Sequence, residues 1–371
     1  MRKVCLVCER TAPDGNLLCH EVYCPAETSP LLLDPGERLG EIEIVRLLVV
    51  LRSAALYEVR QGQRSVLLKV AHPGAEHTDR LKREARFLNA PDVRQDREPG
   101  LPRVLPPYLM TGGQDYPYGR ATIQGRLLYY CVFEQFDGVP LRDLMFERPQ
   151  LGVYEVGWLL MGLARTLDYL QHKRLYHYGL SPESVLVRFD KRGAPRPLLW
   201  DLGIAAADTR NELEQHWYRG FLHPAYTAPE LIDAQRPAAS LATDVYGLGL
   251  ILYELLNGAP AYPYRLRSDQ EIFDAVRKVK VDGLSSDRVD VRKIAALADR
   301  AISKDPMARP TSARALRDEL RAEVGEPPAA GPNLEVSPRT ALIVTLALLG
   351  LAFLILLGYT ASELPRIFAA P

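Results

Sequence analysis

The chain has 371 residues, 47% apolar and 25% charged, which is ordinary globular usage and excludes both a disordered tail and a small disulfide scaffold. Lys plus Arg number 46 and Asp plus Glu number 46, so the formal net charge is zero and no overall field points to a nucleic-acid partner. Of the five cysteines, four fall within the first 24 residues and only Cys131 lies elsewhere. That placement is unlike the even framework of a secreted domain and suits a reducing compartment.

The opening residues, MRKVC, lack the apolar core of a signal peptide, so the amino-terminal body is expected to remain cytosolic. Residues 1–30 carry Cys5 and Cys8, then Cys19 and Cys24, two close pairs separated by the Pro13-Asp14-Gly15 turn. Four thiolates in two pairs suit tetrahedral Zn²⁺ in a closed structural site of the zinc-ribbon kind. His20 is a substitute ligand, and free or disulfide-linked thiols are the alternative. Thirty residues bury little core, so metal would supply most of the folding energy of this module.

From residue 41 the pattern is mixed. Glu43 to Leu48 and Leu56 to Val59 read as short strands, Arg60 to Gln63 as a turn, and Ser65 to Ala71 as an apolar strand ending at His72-Pro73-Gly74. Asp79 to Asn89 has helical character, a Pro/Gly-rich stretch follows to Gly125, and Leu127 to Phe136 is again strand-like. Beyond Gly138 helices dominate: Val156, Leu159, Leu160, Leu163, Leu167 and Leu170 recur at three- and four-residue spacing. Thr243 is placed to cap a helix from Asp244 to Leu256, and Thr311 to open one carrying Leu316, Leu320 and Val324. A Pro/Gly linker, residues 325–338, precedes an uncharged stretch between Arg339 and Glu363, in which Ala341 to Gly358 is apolar apart from Thr345. A segment of roughly 20 such residues spans a hydrocarbon core of about 30 Å, so residues 340–361 are expected to form one transmembrane helix, with 362–371 as a short tail. The expected location is the cell membrane, single-pass, with the body cytoplasmic.

A sheet-rich lobe followed by a helical lobe, over residues 41–324, resembles the eukaryotic-like Ser/Thr protein kinase fold found in bacterial membrane kinases. The resemblance rests on VLLK with Lys69, LKREARFL with Glu84, HYGLSPES at 177–184, DLG at 201–203, APE at 228–230, DVYGLG at 244–249 and KDPMARP with Arg309. It implies an α+β, bilobal fold with its small lobe at 41–136 and its large lobe at 137–324. The zinc ribbon would precede this fold and the membrane helix would follow it.

The resemblance also implies a site for ATP and Mg²⁺ formed by Lys69, its helical partner Glu84 and the metal-binding Asp201. Several of the parts that such chemistry needs are replaced. The acceptor-orienting Asp is Gly179, the Lys two residues on is Ser181, and the metal-binding Asn is Ser184. The Arg before that Asp is Tyr178, and the Thr that normally bonds to the Asp and Lys is His223. Val49, Leu51 and Ala54 stand where three glycines would let a loop approach phosphate, and Leu67 replaces the small residue against the adenine ring. His177, Asp244 and the pair Glu230–Arg309 match the architectural residues of the family.

The expectation is a pseudokinase that acts as a scaffold or allosteric partner in bacterial signalling. Its partners would be proteins, namely another kinase, a substrate or itself, together with the membrane through one helix. Two alternatives are a divergent ATP-dependent kinase using Lys69, Glu84 and Asp201, and a nucleotide sensor without catalysis.

Overall fold

The computed structural model describes residues 2–5, 11–12, 30–105, 108–109, 115–202, 206–207, 220–232, 239–285 and 288–328. Cys8, Cys19, Cys24, Gly203, most of the Pro/Gly linker, the apolar stretch 340–361 and the tail 362–371 lie outside the described residues. Among the described residues no helix is long and apolar enough to cross a membrane, and no group of three or more His, Cys, Asp or Glu is placed to hold a metal.

Three short strands, β1 (Arg2–Val4), β2 (Thr11–Ala12) and β3 (Leu31–Leu32), pair in the order β2-β1-β3. The small lobe follows with β4 (Arg38–Leu39), β5 (Ile42–Val50), β6 (Ala54–Gln61) and β7 (Arg64–Ala71). Helices α1 (Ala75–Asn89) and α2 (Pro91–Asp96) come next. The strand pair β8 (Tyr108–Leu109) and β9 (Asp115–Tyr116) leads to β10 (Gly119–Ile123) and β11 (Arg126–Phe133). One antiparallel sheet takes the order β10-β11-β7-β6-β5-β4, so β7 lies inside the sheet.

The expected strands all form; β5, β6 and β7 run longer, because a central strand continues as long as both neighbours supply hydrogen-bond partners, whereas the expected Leu127–Phe136 ends three residues early at Phe133. Helix α1 starts four residues before the expected Asp79. Gly74 at φ 134° turns the chain out of β7, and a side chain there would be strained. Side-chain alternation along β7 sorts two cores. Val66, Leu68 and Val70 face an outer cluster with Leu32, Leu33, Tyr57 and Val132, while Leu67 and Ala71 face the main core and the cleft. Leu32 and Leu33 are 0% and 1% exposed, and Leu33 N–H donates to Tyr57 Oη at 3.0 Å. Leu32 and Leu33 are thus built onto the outer face of the sheet.

In the large lobe β12 (Val139–Pro140), β14 (Val185–Phe189) and β15 (Pro195–Leu199) make one sheet, and β13 (Leu175–Tyr176) pairs with β16 (Ala206–Ala207). Helices α3 (Leu141–Glu147) and α4 (Val153–His172) precede the short α5 (Pro229–Ile232). Then come α6 (Leu241–Asn257), α7 (Asp269–Lys278), α8 (Val289–Ala301) and α9 (Ala313–Val324). The apolar series of α4 is buried as its spacing predicts. Helix α6 is buried on nearly every side, so it is the core of the lobe; Gly249 lets it approach α8, where a Cβ would meet that of Ala301 at 2.6 Å.

Two caps differ from expectation. Ser240 caps α6, its Oγ accepting from Ala242 N–H at 3.3 Å, because Thr243 Oγ1 donates to Glu230 at 2.8 Å and is drawn inward. Ser312 caps α9 through Ala315 N–H at 3.1 Å, one residue beyond Thr311. Glu230 itself forms a bidentate pair with Arg309, at 2.7 and 2.9 Å, with side chains 1% and 0% exposed. Arg309 also donates to the carbonyls of Ser303 and Ala242, so this buried charge is fully partnered.

Candidate functional site

The cleft between the lobes is built from β5–β7 above, α1 behind and the 175–202 segment below. Lys69 lies on the cleft face of β7, and Glu84 on the face of α1 that also buries Leu81, Ala85 and Leu88. Asp201 follows β15 in the left-handed region at φ 71°. The fold brings the three expected residues together: Lys69 Nζ donates to Glu84 Oε2 and, at 2.6 Å, to Asp201 Oδ1. Lys69 and Glu84 are each 1% exposed and Asp201 is 8%.

Burial alone would lower the Lys69 pKa, but the Asp201 and Glu84 carboxylates more than offset it and hold the ammonium above its ordinary value. Burial opposes the Asp201 charge, and Lys69 overcomes it, holding that carboxyl below its ordinary range. Burial pushes Glu84 up, aided by Asp201 and opposed by Lys69. Ser53 Oγ approaches Asp201 Oδ1 at 3.5 Å.

The lower wall carries the replaced positions. His177, 0% exposed, and Tyr178, 4% exposed, point their backbone N–H groups at Asp244, whose Oδ2 and Oδ1 accept at 3.2 and 2.8 Å. Those bonds hold Tyr178 at φ 57°, an uncommon conformation for a bulky residue, costing about 1–3 kcal/mol. Burial raises Asp244 to about 6 despite the two donors, and burial lowers His177 to about 4. At the position where the family carries Arg, the Tyr178 ring stacks on Tyr176 at 5.4 Å and packs with Phe221 and Leu222. Gly179 places no side chain in the cleft. Ser184 Oγ donates to the Ser181 carbonyl at 2.7 Å and accepts from Ser181 N–H at 3.1 Å, a closed local ring.

The upper wall is equally altered. Val49 and Leu51 are 7% and 8% exposed and join the core on the cleft side, so side chains fill the space that glycines would leave open. The hairpin closes tightly, Leu51 N–H to Ala54 O at 2.8 Å, and His72 Nε2 lies 2.8 Å from Leu51 O. Leu67 is 2% exposed and sits across the strand pair from Phe133, also 2%, so two large side chains close the back of the cleft.

Four residues of this site carry no mark in the sequence motifs. Besides Phe133, Trp200 is 2% exposed; its Nε1–H donates to Glu183 O at 3.1 Å, and Lys69 Nζ lies 5.2 Å from the ring centroid. An outsized residue directly before DLG is visible in the sequence and is a usable signal. Arg52, at the hairpin tip, reaches across the cleft to Asp269 at the start of α7, with Nη2–Oδ1 at 2.8 Å. Arg142 at the start of α3 binds Glu183 at 2.8 Å, Glu254 at 2.6 Å and Tyr226 Oη at 2.6 Å. Burial opposes the Arg142 charge and these partners restore it. Burial likewise lowers His223 to about 4, although Glu183 faces it; its ring packs edge-on against Tyr226 and Tyr264.

Two cavities lie in this region among the described residues, and their walls share only Leu48. One, about 460 Å³, lies along residues 135–139 with Leu67 and Val187; the other, about 230 Å³, lies under the hairpin tip with Gly179, Ser181, His223 and Cys5. Cys5 is 2% exposed. The donor set is thin for a metal-bound nucleotide: Asp201 lines the second cavity but shares Oδ1 with Lys69, Ser184 Oγ is engaged with Ser181, and position 179 has no side-chain donor.

Residues 122–320 match the protein kinase domain family. The serine/threonine-protein kinase PknB of Mycobacterium tuberculosis is 27% identical over 243 residues, 62% of this chain and 36% of that protein. PknB of Mycolicibacterium smegmatis is 26% identical over 236 residues, with the same coverage of each chain. The serine/threonine-protein kinase PkaA of Streptomyces coelicolor is 35% identical over 141 residues, 38% of this chain and 25% of that one. The matched region thus spans about a third or less of each of these relatives.

Proposed function

The chain belongs to the protein kinase domain family, and from that premise we propose that it is a membrane-anchored, Ser/Thr-kinase-like pseudokinase, a scaffold or allosteric partner in bacterial signalling that transfers no phosphate. The observation that carries this reading is the engagement of Lys69 by Glu84 and Asp201 opposite Gly179, Ser181 and Ser184. The family in general uses ATP with Mg²⁺, which needs a metal held by two ligands and a base near the acceptor. General-base help alone is worth about 10² to 10⁴-fold, and no side chain at position 179 supplies it.

Two further parts of the reading rest on sequence. Cys5, Cys8, Cys19 and Cys24 are assigned a structural Zn²⁺, and residues 340–361 a single membrane crossing that keeps the kinase-like body on the cytoplasmic side. The partners are proteins: another kinase, its substrate, or a second copy.

The test is thermal unfolding of the full chain with and without Mg-ATP, paired with a phosphate-transfer assay. A ligand at about 100 times its dissociation constant would add roughly 2.7 kcal/mol. No shift and no labelled phosphate are expected. A shift without transfer favours the nucleotide-sensor reading, and transfer abolished by Asp201→Asn overturns the proposal in favour of a divergent kinase.

A further inference from the structure

We propose that Trp200 is the cleft's own occupant: its indole takes the place of a planar ligand ring between the Lys69 ammonium and the Glu183 carbonyl, and it ties the lobes together. The inference rests on the pseudokinase reading and deepens it by naming the residue that excludes the nucleotide.

The indole is rooted in the large lobe twice. Its backbone N–H donates to Ser184 O at 3.0 Å, and its Nε1–H donates to Glu183 O at 3.1 Å, so both N–H groups are spent on the segment that carries the replaced catalytic positions. From the small lobe, the Lys69 ammonium comes within 5.2 Å of the ring centroid. Lys69 therefore has a carboxylate on two sides and a ring face on a third. For a planar ligand ring to lie beside that ammonium, the space between it and the Glu183 carbonyl must be open. The indole stands there, 2% exposed and in contact with both walls.

A flat, electron-rich ring facing a buried cation is the arrangement by which a cation and an aromatic group attract each other best once water is excluded. It supplies Lys69 with the partner that its two carboxylates leave room for. Leu67 and Phe133 close the back of the same space, and Val49 and Leu51 its roof. The cavity along residues 135–139 and the one under the hairpin tip, which Asp201, Gly179 and Ser181 line, share only Leu48.

A tryptophan that merely filled core would leave, on removal, a void of no particular chemistry. An occupant leaves a slot shaped for a planar heteroaromatic ring under a cation. The experiment compares the full chain with its Trp200→Ala variant by thermal unfolding, each with millimolar indole, adenine or Mg-ATP. The variant is expected to unfold at lower temperature, to regain at least half of that loss with indole, and to gain with adenine; the unsubstituted chain is expected to respond to none of them. Indole and adenine leaving a folded Trp200→Ala variant unmoved overturns the proposal.

A second measurement holds if that variant does not fold. In the Trp158→Phe/Trp217→Phe chain, Trp200 is the sole tryptophan emitter, and its fluorescence is expected to be blue-shifted, resistant to acrylamide and unchanged by Mg-ATP. Emission that is quenched readily, or that moves with Mg-ATP, places the ring outside the role proposed. Phosphate transfer by the unsubstituted chain would instead sink the pseudokinase reading, so the two failures are distinguishable.

Discussion

At the scale of single residues, Lys69 is a structural cation. It neutralises two carboxylates that are otherwise buried, and its removal leaves both without compensation. Lys69→Met is therefore expected to cost about 3–5 kcal/mol of folding stability, measured by urea unfolding of the full chain. Loss of less than about 1 kcal/mol would mean that Glu84 and Asp201 find other partners. The meeting of Lys69, Glu84 and Asp201 is legible because each sits in a local pattern: an apolar strand, a helix with a buried stripe, and a short loop after a strand. Trp200, Phe133 and Arg142 are not legible in that way, because their importance lies in what they touch. The Arg142 partners Glu183 and Glu254 are 41 and 112 positions away, and no local spacing announces such pairings.

At the scale of elements, the hairpin β5–β6 is latched shut. Arg52 holds Asp269 across 217 positions of sequence, and His72 holds the Leu51 carbonyl from the end of β7. The Arg52 side chain is 20% exposed and Asp269 38%, so the pair adds only about 0–1 kcal/mol to global stability. Its effect is expected in local motion. Arg52→Gln should leave the melting temperature nearly unchanged while amide exchange across residues 48–54 speeds by several-fold; unchanged exchange would show that Val49 and Leu51 packing alone closes the tip. The element boundaries are less legible than the elements. Helix α6 starts at Leu241 because Thr243 is claimed by Glu230, a tertiary contact that overrides a good local cap.

At the scale of the whole molecule, buried titrating groups set the response to acid. His72, His177 and His223 are each held at about 4 by burial, against an ordinary 6.5, so they contribute stability above pH 6.5 that is lost as pH falls toward 4. Asp244, raised by burial to about 6, acts oppositely: its contribution is present near pH 4 and is lost as pH rises through 6. Near pH 5 the unfolded chain then binds about two protons more than the folded one, a slope of about 2.7 kcal/mol per pH unit. Urea midpoints should fall steeply from pH 6.5 to pH 4.5. A flat profile would mean that these rings take up protons without unfolding.

The two-lobe order of the chain can be read from its alternation and its helical spacing, whereas the link between the amino-terminal segment and the sheet cannot. The short apolar run just before residue 41 carries no periodic mark, yet Leu32 and Leu33 cover the outer face made by Ile44, Tyr57, Val59, Leu68 and Val132. The boundary at residue 41 is therefore a poor place to cut. A fragment begun there would carry an uncovered apolar sheet face into water and would invite self-association, so the two leucines serve the molecule as a solubility shield.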